Sequence, residues 1–262
     1  MPSQVSEGWR RSGIDPGDTV LIHSSLTKTM QALRKAGLDP SADLVLDSFR
    51  EAVGPSGTLL LPLFNFDFTK GVPFDIRSTP SHMGILTEAA RRRPGAVRTG
   101  HPIYSFAVLG AKADRFRGVN NFSGYGPDSP FAILRELDGK IAVLDLPDQR
   151  SMTFYHHVEE MRRVPYRYHK TFAGDYTDAD GVKQRRTYGL FVRDIERGVC
   201  THVDPTGELL WENGLYTGDR PGEGTRLRVI SARRMFDFVS DLIAGGRAEG
   251  LLYKIDLEAA HA

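Results

Sequence analysis

The chain has 262 residues, 40% hydrophobic and 26% charged, a balance that excludes disorder and fibrous repeats and calls for a packed core. Its 34 Lys and Arg side chains against 33 Asp and Glu leave a formal net charge of +1. Near-neutrality excludes the strongly basic class of nucleic-acid binders and provides no global acidic field for a polycation.

The opening MPSQVSEGWRRSG carries no apolar run after its charges and lacks the pattern of a secretory leader. No later stretch approaches the ~20 apolar residues of a membrane span, and the lone Cys200 can close no intrachain disulfide. A cytoplasmic protein without nucleic-acid or membrane partners is therefore expected. A helix is predicted over 5–12, then the turn Asp15-Pro16-Gly17-Asp18 and a short apolar strand over 19–23 that delivers Ser24 and Ser25 at its carboxyl end. Leu44, Leu46, Phe49 and Val53 recur at roughly helical spacing, which predicts a helix over 42–53. GTLLLPLF (57–64) reads as a second buried strand, and 83–93 as a helix stopped by Pro94. A strand over 105–109, a helix over 130–137 behind Ser129 and a strand over 140–146 follow.

After Pro165 the segments become polar and aromatic, and Asp180-Gly181 predicts a hairpin pairing 171–176 with 185–192. A helix over 231–244 closes the pattern. Alternating strands and helices predict an α/β fold: a three-layer α/β/α arrangement with a mostly parallel central sheet, ligands at the carboxyl ends of its strands, and an antiparallel C-terminal addition. One domain over 1–262 is expected, with a subdomain from about 166 as the alternative.

No P-loop, dinucleotide fingerprint, G-x-S-x-G elbow or H-E-x-x-H occurs, which leaves transferases and atypical hydrolases. The strongest chemical signal is Thr153-Phe154-Tyr155-His156-His157-Val158-Glu159-Glu160. If it is helical, His156 with Glu159 and His157 with Glu160 are i,i+3 pairs on shared faces. A carboxylate that accepts from one imidazole nitrogen raises the basicity of the other, as a general base near neutral pH requires. The pairs point about 100° apart, so one of them faces a given cleft; two surface ion pairs would satisfy the same spacing. A metal-assisted hydrolase using His23, His101, His156 and Glu159 is the alternative chemistry, although no standard metal-ligand signature is present and no metal is expected.

Several segments together resemble the aminoglycoside 3-N-acetyltransferase family, also called the antibiotic N-acetyltransferase family. They are Ile14-Asp15-Pro16-Gly17-Asp18 with VLIHSSL, then GTLLLPLF, TPSHMGILTEAARRRPGAVRTGHPIYS, SPFAILRELDGKIAVL, and TFYHHVEE followed by VPYR, in that order from about 14 to 167. The resemblance implies transfer of an acyl group, normally acetyl, from acetyl-CoA to the amine of a small molecule such as an aminoglycoside, an amino sugar or a natural-product intermediate. The family pattern T-x-x-H-x-x-E falls on Thr153, His156 and Glu159. It implies His156 as general base, Glu159 as its orienting carboxylate, and Thr153 close to the thioester carbonyl.

The same resemblance places His23, Ser24, Ser25, Ser81, Thr99 and Ser105 along the coenzyme A tunnel, with Arg98 adding charge. Two positions depart from the family pattern: Asp145 stands after KIAVL where glycine is usual, and Thr99 where serine is common. A polycationic acceptor calls for carboxylates; Asp67, Asp75, Asp145, Asp148 and Glu160 are candidates, with Phe64, Phe66, Phe68 and Tyr155 as an aromatic mouth.

Overall fold

The computed structural model describes residues 2–257. Its centre is a seven-stranded sheet built from β1 (Thr19–Ser24), β2 (Thr58–Pro62), β4 (Val97–Arg98), β5 (Phe106–Gly110), β6 (Lys140–Leu144), β10 (Thr217–Gly218) and β11 (Leu227–Ser231), in the order β10-β11-β6-β1-β2-β5-β4. The three central strands β6, β1 and β2 are parallel. Outside them β11 and β5 run antiparallel to their neighbours, and the edge strands β10 and β4 reverse again. Five strands thus share one direction, the mostly parallel sheet expected.

Strand alternation sorts the apolar residues onto two faces. Val20, Ile22, Leu59, Leu61, Ala142 and Leu144 pack with Trp9, Leu46, Phe49 and Leu86. Those partners come from α1 (Pro2–Arg11), α3 (Ala42–Val53) and α4 (Ile85–Arg92). Leu21, Leu60, Phe106, Ile141 and Val143 pack on the other face with Phe131, Leu134, Phe154, Val158, Met235 and Val239. These belong to α5 (Pro130–Glu136), α6 (Phe154–Met161) and α8 (Ala232–Ala244). Helix starts are chemically marked: Ser41, Ser129 and Ser231 accept from the N–H groups of Leu44, Ala132 and Arg234, as N-caps do.

The hairpin is longer than expected, with β7 (Arg167–Thr177) and β8 (Lys183–Arg193) in register from Arg167 opposite Arg193 to Thr177 opposite Lys183. β3 (Phe74–Asp75) adds to it in parallel. β9 (Val199–Thr201) pairs with β12 (Tyr253–Ile255). Helices α2 (Thr27–Lys35) and α7 (Asp204–Glu212) were not anticipated; α2 lacks a side-chain cap, and a proline sits in the first turn of α7. Among the described residues no helix is long and apolar enough to cross a membrane.

Candidate active site

Helix α6 buries Phe154, Tyr155 and Val158, which fixes its rotation and leaves His156 the partly exposed member of the His pair. The His156 side chain is 20% exposed and that of Glu159 only 1%. His156 Nδ1 lies 2.9 Å from Glu159 Oε2, and Arg167 Nε, at the start of β7, lies 2.8 Å from the same oxygen. With Nδ1–H donating to Glu159, the proton-free nitrogen of the neutral ring is Nε2. Burial and the Arg167 charge hold His156 below its ordinary pKa and outweigh the Glu159 hydrogen bond. Burial pushes Glu159 upward, but Arg167 and His156 overcome it and leave the carboxyl below its usual value. Near neutral pH the arrangement is a neutral imidazole backed by an ionised, buried carboxylate.

The second pair does not form. His157 is fully buried and its Nδ1 bonds the Tyr125 carbonyl at 2.7 Å, while burial lowers its pKa to about 4. Glu160 turns instead to the Ser123 hydroxyl at 2.7 Å and His169 Nε2 at 3.2 Å. Thr153 occupies the N-cap position of α6, and its side chain caps no helix N–H.

The four side chains of the metal alternative do not come together. His101 is locked locally: its Nδ1 accepts from the N–H groups of Ile103 and Tyr104 at 3.2 and 3.0 Å, and Nε2 faces the Gly189 carbonyl at 3.4 Å. Among the described residues no three His, Cys, Asp or Glu side chains gather as a metal site would require. The metal-assisted hydrolase reading is thereby set aside.

The cofactor candidates fall into two groups. His23, Ser24 and Ser25 stand at the carboxyl end of β1. His23 is 5% exposed, its Nε2 has no hydrogen-bond partner among the described residues, and burial followed by the Arg228 charge lowers its pKa to about 3. Ser24 and Ser25 are half-buried, and Leu26, not a serine, occupies the N-cap of α2. Ser81, Thr99 and Ser105 form the second group, with hydroxyls engaged by the protein. Ser81 Oγ accepts from the Met83 N–H and Thr99 Oγ1 from the Phe106 N–H. Ser105 Oγ accepts from Arg98, which also donates to the Ile76 and Thr79 carbonyls.

The acidic candidates lie outside the groove beside His156. Asp67 faces His82 and Asp75 pairs with Arg77. Asp148 is buried, taking Arg228, Tyr155 and Tyr216. Asp145 accepts from the Gly222 N–H and has φ 53°, a left-handed conformation in which glycine costs least. Phe64 and Phe68 are core residues and Tyr155 is fully buried, leaving Phe66 partly exposed. The groove at His156, about 380 Å³, is lined instead by Tyr104, Tyr125, Tyr168, Phe172, Arg167, Lys170 and Arg193, among others. Sequence reasoning missed Arg167 as Glu159's partner; its one signal was its place at the end of VPYR, a few residues after the dyad.

Comparison with known proteins bears on this geometry. The profile of the family described as aminoglycoside 3-N-acetyltransferase matches residues 21–244. Aminoglycoside N(3)-acetyltransferase VII of Streptomyces paromomycinus is 31% identical over 176 residues, covering 58% of this chain and 58% of its own length. Aminoglycoside N(3)-acetyltransferase VIII of Streptomyces fradiae is 30% identical over 212 residues, 71% of this chain and 69% of its own. The chain thus spans well under two thirds of the first of these relatives. The crystal structure of aminoglycoside acetyltransferase AAC(3)-Xa is similar with a TM-score of 0.77 at 28% identity, covering 92% of each chain. AAC-IIIb in its binary complex with CoASH shares the fold, with a TM-score of 0.76 at 22% identity over 94% of this chain and 97% of its own.

Proposed function

The chain belongs to the aminoglycoside 3-N-acetyltransferase family, and from that premise we propose that it is an acetyl-CoA-dependent N-acetyltransferase acting on the amine of a small molecule, the class that includes aminoglycosides and amino sugars. The observation that carries the reading is the relay from Arg167 through Glu159 Oε2 to His156 Nδ1, with contacts of 2.8 and 2.9 Å. It leaves Nε2 as the basic atom.

His156 Nε2 takes the proton that the amine must lose as its nitrogen is acylated. Glu159 holds the ring in the tautomer with Nε2 free and stabilises the imidazolium that forms. Arg167 keeps Glu159 ionised where burial alone would favour its acid form. The Thr153 hydroxyl caps no helix N–H, and its role in this reading is to donate to the thioester carbonyl oxygen as that atom gains negative charge.

Acetyl-CoA supplies the activated acyl group and a thiolate leaving group. The residues at the end of β1 fit a role in holding it. The buried, unpartnered His23 Nε2 lacks the hydrogen bond that burial demands, and Ser24 and Ser25 add hydroxyls beside it. Ser105 helps to fix Arg98, which among the described residues also donates to the Ile76 and Thr79 carbonyls, while the Ser81 and Thr99 hydroxyls brace the Met83 and Phe106 backbone N–H groups.

The test is thiol release from acetyl-CoA with purified protein and a panel of amines. The reading predicts release that requires an amine and is insensitive to chelators. Release at the same rate without any amine would overturn it in favour of thioester hydrolysis.

A further inference from the structure

The groove beside His156 carries an unusual charge for an enzyme family associated with polycationic acceptors. Arg167, Lys170 and Arg193 line it, and among the described residues no Asp or Glu does. Arg167 and Arg193 stand directly opposite one another in the hairpin ladder, an arrangement that like charges disfavour. One carboxylate, Glu159, serves the pair, and it lies against Arg167. Arg193 and Lys170 make no ion pair among the described residues, and Lys170 has only the ring of Phe172 at 5.8 Å. The neighbouring acids are turned elsewhere: Asp194 accepts from the Arg197 N–H, and Glu160 bonds Ser123 and His169. The positive charge of Arg193 bears on His156 itself, so its field reaches the place where an acceptor amine must lose its proton.

A polycation entering this groove would meet unpaired like charge, which costs affinity. An amine that also carries a phosphate or carboxylate would instead neutralise Lys170 and Arg193 while its nitrogen approaches His156 Nε2. Resting on the transferase reading above, we infer that the acceptor is an anionic amine, an amino compound bearing a phosphate or carboxylate, whose anion docks on Lys170 and Arg193. Coenzyme A also carries phosphates, but its extended pantetheine arm keeps them away from the thioester, whereas these two cations share a groove of about 380 Å³ with the base. The aromatic faces of Tyr168 and Phe172 in the same groove suit the apolar face of a sugar ring or a short chain between the two groups.

The experiment compares kcat/KM for glucosamine, glucosamine 6-phosphate and a polycationic aminoglycoside by thiol release from acetyl-CoA, in the full chain and in Lys170→Gln/Arg193→Gln. The inference predicts that the phosphorylated amine exceeds glucosamine by about tenfold or more, and that the double substitution reduces this ratio by about tenfold. Inorganic phosphate should compete with the phosphorylated amine. Phosphate competing with acetyl-CoA instead, together with a raised acetyl-CoA KM in the variant, would assign the cations to the cofactor and overturn the inference. A preference for the aminoglycoside would overturn it while leaving the transferase reading intact. Absence of release with every amine would strike the transferase reading itself, and this inference with it.

Discussion

Replacing Glu159 by Gln isolates the charge in the relay from its shape. His156 Nδ1 hydrogen-bonds Glu159 Oε2 and Arg167 Nε forms an ion pair with the same oxygen, while Oε1 has no hydrogen-bond partner among the described residues. The glutamine oxygen can therefore take the place of Oε2 and its NH₂ the place of Oε1, so that the ring keeps its tautomer and loses only the carboxylate. At an effective dielectric of about 20, unit charges roughly 3 Å apart attract by about 5 kcal/mol. Delocalisation over the imidazolium and the competing Arg167 charge leave about half of that, a loss of roughly 10²-fold in kcat.

The same substitution leaves Arg167 buried without a counterion, which costs about 3–5 kcal/mol of stability, so thermal unfolding must be followed beside the rate. Adding Arg167→Met should recover most of the stability and none of the rate. The assay is steady-state thiol release with a saturating amine. A folded Glu159→Gln protein with kcat within about threefold of the parent would refute the electrostatic role, since a merely structural carboxylate predicts little change in rate.

Three further outcomes follow from the same geometry. His23, His101 and His157 have values of about 3, 4 and 4 in the folded chain because burial disfavours their charged forms, and near 6.5 when unfolded. The unfolded chain then binds more protons below about pH 6.5, so stability falls with pH from there to about 4, by roughly 2 kcal/mol per histidine at pH 5; denaturant titrations at pH 7.5 and 5 should show it, and equal midpoints would contradict it. Asp148→Asn removes the charge that Arg228 meets at 2.7 Å in a fully buried setting, and a loss of about 3–5 kcal/mol in urea unfolding is expected. His23→Leu removes an unpartnered polar atom at little cost in stability, yet should raise the acetyl-CoA KM by about tenfold; an unchanged KM would remove His23 from the cofactor site.

The fold was legible where local chemistry decided it. Ser41, Ser129 and Ser231 mark helix starts through their own side chains, and the short continuous apolar runs in 19–23 and 140–144 mark strands buried on both faces. The strands of the central sheet that escaped notice, β4, β10 and β11, lie outside its parallel centre, and the short β3, β9 and β12 of the smaller sheets escaped notice too. In β11 the fully buried Arg228 interrupts an otherwise apolar run, and the partners that make that burial tolerable, the Leu146 carbonyl and Asp148, stand 82 and 80 positions earlier.

The same distinction governs the site. Spacing put His156 and Glu159 within reach of each other, but it equally offered His157 and Glu160. Packing chose between the pairs: Phe154, Tyr155 and Val158 fix the rotation of α6, and the Tyr125 carbonyl takes His157. Arg167 and the cations of the hairpin reach His156 through tertiary folding and strand register, which helical spacing cannot report. Overall charge balance was silent on the groove as well, because a net charge of +1 says nothing about where the unpaired cations stand.

The proposed role of His156 is to accept the proton from the amine during acyl transfer. It is tested most directly by comparing His156→Ala with the parent for acetyl-CoA binding and, with the same amine, for thiol release matched to formation of the acetylated amine. Retained acetyl-CoA binding is expected, with release and product both reduced by about 10³-fold or more. Product formation within about threefold of the parent would contradict it.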